Sequence, residues 1–151
     1  MNKDELYKQI KDLDWSKTKE TQNQAINKLI SDTTINSYDI IQVDLKCTWE
    51  NAVSVLKEMG YPRNKNALPK LIWLLQDINW PGSMQSIEVI KEFDKSEIIM
   101  PIISAIKVAY KEKDYMWIGG LQLLVKATGI YNSILEIYPQ IDSVFKLAEF
   151  I

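Results

Sequence analysis

LPKLIWLLQDINWPGSMQSIEVIKEF, residues Leu68–Phe93, carries two apolar stripes separated by a corner. Leu68, Leu71, Ile72 and Leu75 fall at i, i+3, i+4 and i+7, the spacing that lays a hydrophobic band along one helical face. Met84, Ile87, Ile90 and Phe93 repeat that band after a tight turn at Asp77–Pro81. The stretch therefore reads as a helical hairpin whose second helix runs back along the first.

The pattern extends in both directions. Upstream, Leu6, Ile10 and Leu13 keep helical spacing, and Ser16 or Thr18 can cap a helix carrying Ala25, Ile26, Leu29 and Ile30. Thr21 with Gln24 offers a capping box one turn later. Residues 33–46 read two ways, because Ile41, Val43 and Leu45 alternate like a strand while Tyr38, Ile41 and Leu45 suit a short helix. No second strand pattern exists to pair with, so a short helix and an extended connector are expected. Thr48 should cap a helix with Trp49, Ala52, Val53 and Leu56 inward, ended by Gly60 and Pro62.

Downstream, Asp94 or Ser96 caps a helix lined by Ile98, Ile102, Ile106 and Ala109 and widened by Ile99, Ile103 and Tyr110. Pro101 requires the regular helix to begin near it or to bend there. Asp114 then caps a helix with Trp117, Leu121, Leu124 and Val125 inward and Gly129 at its end. Two short helices follow, one with Ile134, Leu135 and Tyr138, the other with Ile141, Val144, Phe145 and Ala148. The expectation is an all-α chain of roughly eight to ten helices, forming one domain over residues 1–151.

Four corners share a form: Asp12-Leu-Asp-Trp15, Lys46-Cys-Thr-Trp49, Asp77-Ile-Asn-Trp80 and Asp114-Tyr-Met-Trp117. Each precedes a helix, with its tryptophan at the helix start, and successive tryptophans lie roughly 30–40 residues apart, the period of stacked helix pairs. In such a stack each pair buries its stripe against the next, giving a core that is continuous along one direction. Leu68–Phe93, followed by IIMPIISAI and DYMWIGGLQLLVKA, resembles an uncharacterised bacterial family, domain of unknown function 5071. The shared marks are a Leu-Pro helix, an Asp-x-Asn-Trp-Pro corner and a later Asp-x-x-Trp, and the likeness spans Leu68–Ala127. It implies a HEAT-like α-α superhelix, a short right-handed solenoid of antiparallel helix pairs. It implies no catalytic residue.

Composition narrows the function. The chain is 46% hydrophobic and 25% charged, ordinary for a globular protein. Net charge is −2, with mixed signs and a slight acidic excess after Ala67. No basic stripe is present to grip a phosphate backbone, so a nucleic-acid partner is not expected. The absence of histidine removes the commonest general base, the usual metal ligand and the physiological pH switch. Cys47 stands alone, which suits a reducing compartment, and a small buried residue is expected there. The first residues lack the apolar core of a secretory signal, and apolar runs fall far short of the ~20 residues that span a bilayer. A cytoplasmic protein without membrane partners is the expectation. Phosphate loop, nucleophile elbow and HExxH motif are missing, so no catalytic residue, cofactor or metal is expected. Met59, Met84, Met100 and Met116 read as gap-filling core.

What remains is a surface for a partner, and seven residues are its candidates: Trp73, Asp77, Trp80, Glu112, Asp114, Tyr115 and Trp117. Trp73 lies off its helix's stripe and faces outward or toward a neighbouring helix. Trp80 and Trp117 either anchor a partner or wedge between helix pairs, and their recurrence with the core period favours the wedge. Asp77 and Asp114 share a repeat position, so they form either a carboxylate ladder or helix caps, and capping is the simpler role. Gly119 and Gly120 fall inside a helix at about 1 kcal/mol each relative to Ala, which points to a close crossing.

The expected function is non-enzymatic protein binding. Its concrete form is a bacterial toxin-neutralising immunity protein, with Asp77, Asp94, Asp114 and Glu112 facing a basic toxin domain. Two other readings compete. One is a regulatory adaptor that binds a peptide or helix. The other is a carboxylate-based enzyme of the helical-repeat glycosylase type, disfavoured because 18 Lys and Arg face 20 Asp and Glu.

Overall fold

Outside residues 33–46, the apolar stripes become helices in the computed structural model, which describes residues 1–150. Among these residues there are nine α-helices and no strand. They are α1 (Lys3–Lys11), α2 (Lys19–Ser31), α3 (Trp49–Met59), α4 (Leu68–Trp73), α5 (Ser83–Ile90), α6 (Lys95–Glu112), α7 (Tyr115–Thr128), α8 (Tyr131–Ile137) and α9 (Ile141–Phe145). Short 3-10 turns at Ser37–Asp39, Lys46–Thr48, Lys65–Ala67 and Leu74–Gln76 fill the joints.

Side-chain caps set four of the nine starts, those of α1, α2, α6 and α7. Asn2 forms a reciprocal capping box with Glu5, Thr18 accepts from the Thr21 N–H, and Asp94 accepts from the Ser96 N–H. These bonds satisfy donors that a helix leaves free in its first turn. The hydroxyl and N–H of Ser96 hold the Asp94 carboxyl below its ordinary range. Because α2 begins at Lys19, the alternative box at Thr21 and Gln24 is not used. Thr48 precedes α3 but makes no cap; its hydroxyl donates to the Leu45 carbonyl at 2.6 Å.

Helices pack on partners one or two places away in the chain. α1 lies on α2, α2 on α3, α3 on α5 and α5 on α4; α4 meets α6, which packs on α7 and α8, and α7 meets α9. Ile10, Leu29, Leu56, Leu71, Leu75, Ile90 and Ile102 are fully buried in one core cluster reaching from α1 to α6. Each such side chain contributes about 1.5–3 kcal/mol relative to remaining in water.

Residues 33–46 form a 3-10 turn followed by irregular turns, with Ile40 and Ile41 fully buried. Lys70 holds this segment from α4. Its Nζ donates to the Ile41 carbonyl at 2.7 Å and lies 3.9 Å from the Tyr38 ring centroid. Burial lowers the Lys70 pKa, opposed by the charges of Asp39 and Asp44. Arg63 performs a similar service at the end of α2, donating to the carbonyls of Ile30 at 2.6 Å and Asp32 at 2.9 Å. These are last-turn carbonyls with no partner inside the helix. Arg63→Ala should therefore lower stability by about 2–3 kcal/mol, with Arg63→Lys recovering only part. Urea unfolding followed by circular dichroism measures both.

Several individual expectations fail, each for a local reason. α6 starts at Lys95, so the regular helix does not begin near Pro101, which sits inside it on the exposed side. Tyr110 on the same helix is exposed and does not widen the inner face. Met84 and Met100 are also exposed, and small Ser83 and Ser86 occupy the buried side of α5 instead. Cys47 is exposed as well, because the 3-10 turn at Lys46–Thr48 puts Thr48 inside, where its hydroxyl bonds the Leu45 carbonyl.

Candidate functional site

The tryptophan corners are not copies of one another. Trp15 is 51% exposed and stands ahead of α2, Trp49 opens α3 and is buried, Trp80 sits in the turn before α5, and Trp117 lies in the first turn of α7. Two of them, Trp49 and Trp80, meet each other and Trp73 of α4. Trp49, Trp73 and Trp80 form a closed trio with ring centroids 5.2, 5.3 and 5.4 Å apart. These separations are typical of attractive aromatic pairs. Trp73, off the α4 stripe, is thus turned toward α3. The indole of Trp49 donates to the Gln42 carbonyl at 2.7 Å, which fixes the trio to residues 33–46. Lys46 Nζ caps it, 5.6 Å from the Trp80 ring and 6.0 Å from that of Trp49.

Gly82 lets the corner come this close. It adopts φ +81°, and a Cβ there would meet the Trp49 carbonyl oxygen at 3.0 Å and the Val53 side chain at 2.9 Å. The two aspartates do different work. Asp77 accepts from the Asn79 N–H at 2.8 Å and shapes the turn, so it caps no helix. Asp114 accepts from the Trp117 N–H at 3.0 Å and caps α7 as expected.

The two clusters meet through one bond. Trp117 Nε1–H donates to the Ile72 carbonyl at 3.2 Å, tying the start of α7 to the end of α4. The glycine pair makes that approach possible. A Cβ on Gly120 would lie 2.1 Å from the Leu75 carbonyl oxygen, and one on Gly119 would lie 2.1 Å from that of Glu149. The Glu149 N–H also donates to the Tyr115 carbonyl at 2.9 Å, so the tail crosses the opening turns of α7.

Of the seven nominated residues, Trp73, Asp77, Trp80, Asp114, Tyr115 and Trp117 are half-buried, and Glu112 is exposed at the end of α6. Trp49 and Lys46 belong to the same assembly and were not nominated. Their corner had the same form as the others, and that was the available signal. Half-exposed indoles, an ammonium and carboxylates offer non-covalent contact. Among the described residues, no three His, Cys, Asp or Glu side chains gather closely enough to hold a metal ion. No helix among them is long and apolar enough to cross a membrane.

These features define an all-helical chain whose corner aromatics gather at the junction of α3, α4 and the turn before α5, with α7 fastened beside it. It belongs to the family described as Domain of unknown function (DUF5071), whose model matches residues 48–149. The match begins ahead of Leu68 and runs past Ala127, taking in Trp49 and the tail that crosses α7. No curated protein and no solved structure matches the chain.

Proposed function

We propose that this chain is a non-enzymatic protein-binding module, a short HEAT-like superhelix that works in the bacterial cytoplasm as an immunity protein. Its partner is a basic toxin domain, neutralised by covering the surface the toxin works with. The observation that carries this reading is the Trp117–Ile72 hydrogen bond. It brings Trp117, at the start of α7, against the end of α4, residues 45 positions apart in sequence. Aromatic side chains supply most of the energy at the centre of protein interfaces, and acidic rims speed encounter with basic partners. Helices that pack on partners one or two places away in the chain suit a superhelical stack, whose extended face holds macromolecules.

The test is affinity capture of the full chain from its native cells, with the captured protein then expressed alone. A basic protein that is toxic without this chain is the expected result. Glu112→Lys with Tyr115→Ala and Asp114→Asn should weaken that complex about tenfold or more, because the charge reverses and an anchor is lost. Asparagine at position 114 preserves the cap, so the helical signal in circular dichroism should not change. Undiminished binding by this variant, or capture of no protein, would overturn the proposal.

A further inference from the structure

A second feature lies away from that junction. After α3 ends, the chain turns through Tyr61–Asn64 and leaves a cleft of about 330 Å³ against α5. Its walls include Lys57, Gly60, Tyr61, Asn64, Glu88 and Glu92. Asn64 is only 1% exposed. Its side-chain NH2 donates to the Leu56 carbonyl at 2.9 Å, and its backbone N–H donates to the Gly60 carbonyl at 3.0 Å. The first bond fixes which end of the amide is which, and Oδ1 has no donor. A buried amide oxygen left this way costs about 1–3 kcal/mol, and because it is closed to a water-sized probe a donor from outside the chain reaches it only when the cleft wall shifts.

Apart from Lys57, the rest of the wall is also short of donors. Glu88 and Glu92 are acceptors only once ionised. Interaction with the Glu97 carboxylate, with burial and the charges of Glu97 and Asp94, raises the Tyr61 pKa. The Tyr61 ring packs on Phe93 with centroids 5.1 Å apart, leaving an aromatic surface at the cleft. Lys57 is exposed on its own helix and makes no ion pair within the described residues, so it can swing clear. Lys91 reaches Glu88 at 3.5 Å, an exposed contact of little strength. A guanidinium carries five N–H donors in a flat fork and stacks on aromatic rings, which answers several acceptors and a ring together.

We propose that this cleft binds a guanidinium group, whose N–H donors are accepted by Asn64 Oδ1 and by the carboxylates of Glu88 and Glu92. The group can come from an arginine side chain or from a free guanidino compound. That a basic protein presents it rests on the function proposed above; the binding itself does not.

The experiment is an NMR titration of the full ¹⁵N-labelled chain with agmatine and with a capped Gly-Arg-Gly peptide. Shifts centred on Gly60, Asn64 and Glu88, with a Kd of about 1 mM, are expected. Glu88→Gln with Glu92→Gln, both exposed positions that leave folding intact, should weaken binding about fivefold or more, and Lys57→Ala should tighten it about twofold. The citrulline peptide, which has the same shape without the charge, should not bind. A peptide that binds more tightly than agmatine identifies a protein side chain as the source, and the reverse order identifies a small molecule; both support the site. Absence of shifts at Asn64 up to about 20 mM of either probe would overturn it, leaving water as the partner of Oδ1. Equal binding of the citrulline peptide would overturn it too. These probes do not involve the toxin, so a failed capture leaves this result standing. A captured partner indifferent to the double Gln variant would remove only the arginine's role in that complex.

Discussion

Gly120→Ala should destabilise the protein by about 2–4 kcal/mol, even though alanine is the better helix former. The new methyl carbon would sit 2.1 Å from the Leu75 carbonyl oxygen, 2.9 Å from its Cβ and 3.0 Å from its carbonyl carbon. The two closest approaches involve atoms that cannot rotate aside, so α7 must withdraw by about 1 Å from a close-packed interior. Withdrawal stretches the Trp117–Ile72 bond and opens the core beside Leu121 and Leu124. Against this stands the gain of about 1 kcal/mol that alanine brings to an unconstrained helix. Ala127→Gly, an exposed site in the same helix, provides the scale and should cost about 1 kcal/mol. Urea unfolding of both variants decides the matter. An alanine at position 120 that stabilises the chain would mean that α7 does not lie against Leu75. Gly119 is milder, because the backbone it touches belongs to the terminal segment, which has more freedom to shift.

Trp49→Ala should cost about 3–5 kcal/mol, the range for removing a large buried aromatic. Trp49 is 4% exposed and contacts both other members of the trio, and its indole N–H is bonded to Gln42. Truncation leaves a cavity and frees the Gln42 carbonyl together. Trp15→Ala should cost under about 0.5 kcal/mol, since most of that ring is in water. Comparable losses at the two positions would contradict the distinct placement of the corners.

That contrast also shows how far the sequence could be read. The helices were legible because burial at period 3.6 leaves a strong trace: Ile98, Ile102, Ile106 and Ala109 all lie inside as their spacing requires. The glycine pair was legible for a related reason, since two unfavourable residues in a helix need a neighbour that demands them. Met84 misled because the same spacing fits two adjacent faces, and only the approach of α3, made close by Gly82 and Ser83, selects between them. The resemblance between Asp77 and Asp114 concealed different tasks, because an aspartate bonds as readily to a turn N–H as to a helix N–H. The junction itself was out of reach. Nothing local in Trp73, Trp80 or Trp49 says that the three rings meet, and contact between residues dozens of positions apart depends on how whole helices settle.

The meeting of those rings has an optical consequence. Indoles whose centres are 5.2–5.4 Å apart share absorbed light instead of emitting independently. Their combined near-ultraviolet dichroism should fade as soon as α3 and α4 part, even while the backbone stays helical. Trp15, out in solvent, glows on its own account and registers none of this. Four of the five tryptophans thus behave as two separate gauges, one tuned to a single seam of the molecule and the other indifferent to it.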